Sequence, residues 1–362
     1  LSRFLFSIDL LPCAGILPVE LGVNLTPIIV KRIVDLEFLR GRSFAIDAFI
    51  ELHQFLALIR TREGKPLMDE RGRVTSHLVG LAFRTTRLIS DFKVKPVFVF
   101  DGEPPLLKRA ELEKRREFRK KAEEEYASAV EAADYATAFS KAVMTGRLTG
   151  EMIADSKRLL DLLGIPWVQA PSEGEAQAAH MARRGVVWAV GSRDYDSLLF
   201  GAPRLVRYIT IQGEEYLPSK GTARKLKPEF IELDGFLRHY GMTREQLIDL
   251  SILVGTDFND GVKGVGPKTA LKLVKEHGRL EDMPPEIASR LPANYGEIRR
   301  LYLAPDVTDD YRLDWGVLRE DELYAFLCGE RSFSRKRVEV VAQRMKEFYA
   351  GRRLESWFKG AP

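Results

Sequence analysis

From residue 43 to residue 209, short apolar runs alternate with amphipathic stretches, and this limits the chain to a mostly parallel sheet covered by helices. The expected strands are Ser43–Asp47, Lys95–Phe100, Ile165–Gln169, Val186–Val190 and Leu205–Ile209. The expected helices between them are Phe49–Arg60, Ser76–Asp91, Gly150–Leu163 and Glu173–Arg184. From Asp101 to about Thr145 a charged, Ala- and Glu-rich stretch without a strand reads as two helices inserted over the sheet. Beyond residue 240 the chain turns helical and ends in a basic tail. The expected fold class is therefore α/β.

Acids stand where these strands end. Asp47 closes SFAID, Asp101 closes KPVFVFD, and Asp194 and Asp196 follow VVWAVGS. Glu173 and Glu175 open a helix after IPWVQ, and Asp257 follows an apolar helix in LVGTDFND. In open α/β sheets ligands bind at the carboxyl ends of the strands, so the first six acids should share one edge. Any one of them could instead cap a helix, and Ser172 with Glu175 fits a capping box. As a set they would repel one another in a partly buried site unless cations were bound. Oxygen ligands without His or Cys select hard ions, Mg²⁺ or Mn²⁺. Two such ions about 4 Å apart can activate a water and stabilise the leaving oxygen of a phosphodiester. The chain has no Walker sequence, which argues against nucleotide hydrolysis.

Charge points to the same class of substrate. The net charge of +4 is concentrated in residues 106–121, where eight Lys or Arg face three Glu. Such a run is a candidate nucleic-acid footprint, or simply a solvated helix face. The two cysteines, Cys13 and Cys328, form neither a disulfide framework nor a zinc pattern and suit a reducing cytosol. No apolar run reaches the roughly 18 residues of a membrane span. Residues 1–20 superficially resemble a signal peptide, but Asp9 interrupts the apolar stretch and no small-residue cleavage site follows.

The blocks GVNLTPII (22–29), AIDAF (45–49), TSHLVGL (75–81), VFVFDGEPP (97–105), PSEGEAQAA (171–179), SRDYDSLLFG (192–201) and GTDFNDGVKGVGPKTA (255–270) resemble, in this order, the flap endonuclease family of archaeal type. The resemblance implies a structure-specific nuclease that removes 5′ flaps, with 5′–3′ exonuclease activity, during replication and repair. Matched residue by residue, Asp47, Asp101, Glu173 and Glu175 correspond to one group of family metal ligands, and Asp194, Asp196 and Asp257 to the other. Two Mg²⁺ per chain are implied, with Mn²⁺ as a substitute.

Residues Gly261–Ala270 read as a helix–hairpin–helix turn, in which Gly264 and Gly266 let backbone N–H groups approach a phosphate and Lys268 and Lys272 start the next helix. The alternative is a plain Gly–Pro turn. The family's hairpin also binds a monovalent cation through carbonyls, and this is expected here. In the basic run Lys108, Arg115 and Arg119 share one helix face. Pairs such as Glu111–Arg115 are equally consistent with a solvated helix. The resemblance places Lys108 and Arg115 at the scissile phosphate, and makes the second half of this region an arch over the flap. It also assigns duplex contacts to Arg60, Arg84 and Gly255. At the family's stacking tyrosine this chain has His53, a smaller ring that titrates near pH 6.5. The tail GRRLESWFKG resembles a sliding-clamp box with Leu354, Trp357 and Phe358 as its plug and Gly351 where Gln is usual; the other reading packs the tail on its own domain.

The organisation expected is an extension (1–21), one nuclease domain (22–345) and a clamp-binding tail (346–362). Within the domain lie an N-terminal region (22–125), an arch (about 102–145) and an intermediate region (142–280). Gly22 matches the family's glycine after Met, which the resemblance places near the active site, and Leu21 stands in the place of Met, so residues 1–20 are expected to come from a start site assigned too far upstream. The protein is expected to act as a cytoplasmic, nucleoid-associated monomer with branched DNA and a sliding clamp as partners. The rivals are a related exonuclease or ribonuclease, and a non-catalytic junction binder.

Overall fold

The structure is a computed structural model and describes residues 22–61, 65–131, 147–210, 214–217 and 222–359. Its strands are β1 (Arg32–Ile33), β2 (Ser43–Asp47), β3 (Lys95–Phe100), β4 (Trp167–Gln169), β5 (Ala189–Gly191), β6 (Arg204–Arg207), β7 (Glu214–Leu217), β8 (Thr222–Lys225) and β9 (Glu229–Glu232). Seven of them form one sheet in the order β1-β9-β6-β5-β2-β3-β4, and β7 pairs with β8 as a separate hairpin. The five strands from β6 to β4 are parallel, as the alternation required. The edge made by β9 and β1 is antiparallel and was not expected from the sequence.

Three expected strands begin late or stop early, each for a visible reason. Gly164, at φ +68°, ends the helix before β4, and the Ile165 N–H bonds back to the Leu160 carbonyl at 2.9 Å. Pro166 has no N–H to give, so the ladder starts at Trp167. Gly185 (φ +73°) does the same before β5, with the Val186 N–H returning to the Met181 carbonyl at 3.2 Å. At the end of β6, Tyr208 takes φ +60° and the strand stops at Arg207.

Strand side chains alternate between two cores, as a period of two demands. Ala45, Val97 and Val99 enter one core with α6 (Gly174–Arg183) and α9 (Arg244–Val254). Phe44, Ile46, Phe98 and Phe100 enter the other, with α1 (Ala48–Leu58), α5 (Gly150–Leu163) and the first half of α14 (Arg335–Lys359). The expected helix Ser76–Asp91 is helical throughout but passes through a π-helical turn, Leu81–Thr85, between α2 (Ser76–Gly80) and α3 (Thr86–Phe92). In the insertion a short 3₁₀ turn, Leu106–Lys108, leads into a single 23-residue helix, α4 (Arg109–Glu131); the second expected helix lies outside the described residues. No described helix is long and apolar enough to cross a membrane.

Candidate metal and nucleic-acid site

The carboxyl ends of β2, β3 and β5 open on the same edge, and the acids expected there meet on it. Asp47 caps α1 by accepting from the Ile50 N–H at 2.9 Å, yet is 3% exposed. Capping a helix therefore does not keep it out of the cluster. Burial, then the charge of Asp101, hold its carboxyl well above the ordinary carboxylate range. Asp101 accepts from the Gly174 N–H at 2.6 Å, which ties the end of β3 to the start of α6. The capping box expected from Ser172 and Glu175 does not form. Ser172 donates to the Glu103 carbonyl at 3.1 Å, and the N-cap position falls on Glu173. Glu175 is thereby left to the cluster, where Ser192 donates to it at 2.9 Å. Burial, then Asp196 and Asp47, push it well up.

Asp196 is pushed up to about 8 by burial and by Asp257. The first described residues of the chain reach both of these acids. The Val23 N–H donates to Asp196 at 3.0 Å and the Gly22 N–H to Asp257 at 3.0 Å. Gly22 sits at φ +80°, where a Cβ would come within 2.8 Å of an Asp196 oxygen, so only glycine fits there. The family resemblance points to Gly22, and the Val23 amide carries no sequence signal. Tyr302 was also missed. It is fully buried against the Phe200 ring (4.8 Å between centroids), and after burial the charges of Asp196 and Asp257 raise its hydroxyl pKa.

Lys108 lies among these acids, with its ammonium paired to Glu173 and 3.0 Å from Asp257. Burial disfavours its charge, but Asp257 and Glu173 outweigh that and hold the pKa above its ordinary value. Glu173 still stays above the usual carboxylate range, because burial and its acidic neighbours exceed what Lys108 returns. The cluster thus already draws in the nearest cation. A divalent ion fits it by charge and by its all-oxygen donors. Among the described residues no three acids, His or Cys stand in chelating geometry as arranged.

Of the residues expected to contact DNA, His53 lies on α1, Arg84 in the π-helical turn, and Gly264 and Gly266 between α9 and the helix that follows it. Val254 ends α9 and Pro267 starts α10 (Pro267–His277), so the expected helix–hairpin–helix is formed. In its turn Gly255 (φ +114°) and Gly264 (φ +84°) take backbone conformations open to glycine. Gly266 is the N-cap, and Lys268 stands exposed in the first turn. On α4, Lys114 forms an ion pair with Asp260 and so links the basic helix to the hairpin. His53 is exposed on α1. Half-buried Arg60 donates to the Ala57 carbonyl at 3.2 Å, and the Arg84 guanidinium lies 5.7 Å from the centre of the Phe55 ring. The side chains of Arg115, Arg119, Leu354, Trp357 and Phe358 lie outside the described ones; α14 runs on past Phe348 to Lys359.

Comparison with known proteins adds a lineage. Residues 22–122 match the XPG N-terminal domain and residues 164–257 the XPG I-region. Flap endonuclease 1 of Methanopyrus kandleri is 52% identical over 320 residues, covering 86% of this chain and 90% of that protein. That of Pyrococcus furiosus is 47% identical over 343 residues, covering 94% and 100%. Among solved structures, flap endonuclease-1 from Methanococcus jannaschii superposes with a TM-score of 0.72 at 39% identity, covering 91% of this chain and 100% of that one. The catalytic core of Rad2 in complex with a DNA substrate follows with a TM-score of 0.65 at 25% identity, covering 87% and 96%.

Proposed function

Since the chain belongs to the flap endonuclease family, we propose that it cuts phosphodiesters at the base of 5′ flaps with divalent ions held by its seven acids. It is a structure-specific flap endonuclease, a hydrolase of DNA replication and repair. Asp47, Asp101, Glu173 and Glu175 form one ligand group, and Asp194, Asp196 and Asp257 the other. Magnesium suits this donor set, two ions per chain, with manganese as a substitute. Bound there, such ions would supply an activated water and neutralise charge on the leaving oxygen.

The chain's own groups do the rest. Lys108, once Glu173 and Asp257 no longer hold its ammonium, donates to the scissile phosphate as charge develops on it, and Arg115 joins it from the first turns of α4. The hairpin amides at Gly264 and Gly266, with Lys268, grip one strand of the duplex without reading its sequence. Arg60, Arg84 and Gly255 hold the duplex elsewhere, and His53 stacks on a base beside the scissile bond. A monovalent cation seated on hairpin carbonyls would steady that grip. The protein works as a monomer and takes a sliding clamp on Leu354, Trp357 and Phe358.

The observation that carries this reading is the convergence of buried, mutually repelling carboxylates on one sheet edge, with Lys108 drawn in among them. The test is cleavage of 5′-flap, nicked, single-stranded and RNA substrates in magnesium and in EDTA. Flap cleavage that stops in EDTA and exceeds that of the other substrates is expected. Cleavage that persists in EDTA, or never occurs in magnesium, overturns it.

A further inference from the structure

Behind the strand-end acids lies a buried polar network that the reaction itself does not use. Arg207, the last residue of β6, is 3% exposed, and Glu229, its cross-strand partner on β9, is 2% exposed. The Arg207 guanidinium donates to Glu229 at 2.9 Å, and Lys31 donates to the other oxygen of Glu229 at 2.6 Å. Its Nε donates at 2.6 Å to the carbonyl of Arg193, which belongs to the peptide bond leading into Asp194. A terminal nitrogen bonds to the hydroxyl of Tyr195, the residue between Asp194 and Asp196, and the guanidinium lies 4.1 Å from the centre of that ring. One side chain therefore grips both neighbours of Asp194, the backbone carbonyl of Arg193 and the phenol of Tyr195. Tyr195 in turn contacts Thr26 at 3.2 Å, in the segment whose first amides hold Asp257 and Asp196.

A planar guanidinium can hold a carbonyl, a carboxylate and a phenol at once, in fixed directions; an ammonium cannot. It also brings buried positive charge close to Asp194, within electrostatic reach. We propose that Arg207 is a positioning residue for metal binding. Locked by Glu229, it fixes the orientation of Asp194 and Asp196 while touching neither DNA nor metal. The inference rests on the reading of those two acids as metal ligands. Partners that orient ligands in this way are typically worth about 10–100-fold in metal affinity.

The test uses the full chain and a readout apart from cleavage, Mn²⁺ binding followed by electron paramagnetic resonance. Arg207→Met alone would leave Glu229 paired with Lys31 but without its buried partner, so it is paired with the double variant Arg207→Met/Glu229→Met, which removes both buried charges and leaves the half-exposed Lys31 to water. In the double variant, with the parent's circular dichroism, Mn²⁺ binding should weaken about 10–100-fold. The magnesium needed for half-maximal cleavage should rise by the same factor, while flap affinity in Ca²⁺ stays within about twofold. Arg207→Lys, which keeps a donor for the Arg193 carbonyl, should recover part of the loss. Unchanged Mn²⁺ binding in the double variant overturns the role of Arg207. Asp194→Asn is measured alongside: if it too binds Mn²⁺ like the parent, the assignment of the acids has failed, and the inference with it.

Discussion

Gly174→Ala separates the site from the fold more sharply than removal of an acid. A Cβ on Gly174 would lie 2.6 Å from Asp101 Oδ1, while its other near neighbours, the Val99 carbonyl and the Asp101 amide, remain at 3.4 and 3.5 Å. Ordinary contact begins near 3.4 Å, so the Asp101 carboxylate must retreat by about 0.8 Å. It is the end of a side chain rather than backbone, so the chain trace need not move. Alanine is the better helix former by up to about 1 kcal/mol. The weakened hydrogen bond from the Gly174 amide to a charged acceptor costs about 1.5–3 kcal/mol. Net stability should therefore fall by only about 1–2 kcal/mol. Function should fall much further, because misplacing a group by about 1 Å can cost on the order of 10²-fold in rate. The assay is single-turnover cleavage of a 5′-flap substrate in saturating magnesium, beside a thermal melt. A rate within about threefold of the parent, in a folded variant, would refute the claim that Asp101 must point where Gly174 holds it.

Four further outcomes are expected. Lys108→Ala should slow single-turnover cleavage by about 10²–10³-fold, as loss of a transition-state donor does; a fall in flap affinity with the rate intact would make it a docking charge only. Lys268→Ala should weaken duplex binding evenly across sequences and reduce the salt slope by about one phosphate, and an unchanged slope would exclude a backbone contact. Glu51 on α1 is buried, accepts from Thr210, and is pushed up to about 7, chiefly by burial. The folded state then holds its proton longer than the unfolded one, so stability falls as pH rises from about 4.5 to 7, by at most about 3 kcal/mol. Denaturant titrations at pH 5 and pH 8 should show that loss in the parent and a smaller one in Glu51→Gln; equal losses would point to another group. Removing residues 351–362 should spare cleavage of isolated flaps and abolish stimulation by a clamp, and stimulation that survives would place the clamp contact elsewhere.

The sheet and the acids were legible because both obey simple periods. Apolar runs such as KPVFVF mark strands by composition, and an acid at the end of each falls on the carboxyl edge whatever the loop lengths. What stayed hidden depends on tertiary contact. β1 has two residues, both exposed, and β9 is a strand only because Arg207 and its neighbours are there to pair with it. The amides of Gly22 and Val23 carry no side-chain signature, and Arg207 looks in sequence like any strand-end arginine. Ser172 and Glu175 show the opposite failure: a capping pattern was present, but residues just past the ends of β3 and β5 drew both side chains to other partners.

The hydrogen bond between Gly22 and Asp257 spans 235 residues, and this has a meaning for the chain as it is made. At ribosomal speeds of roughly 5–20 residues per second, Asp257 emerges on the order of 10–50 s after Gly22. Contacts of such separation also close late, since the loop entropy must be met before they contribute. Between Asp196 and Asp257 the nascent chain carries six of its seven acids but lacks the one that the Gly22 amide reaches. On the proposed function, the acid set is completed only as the hairpin after it is being made, so a product that stops before Asp257 lacks a metal ligand by its own topology.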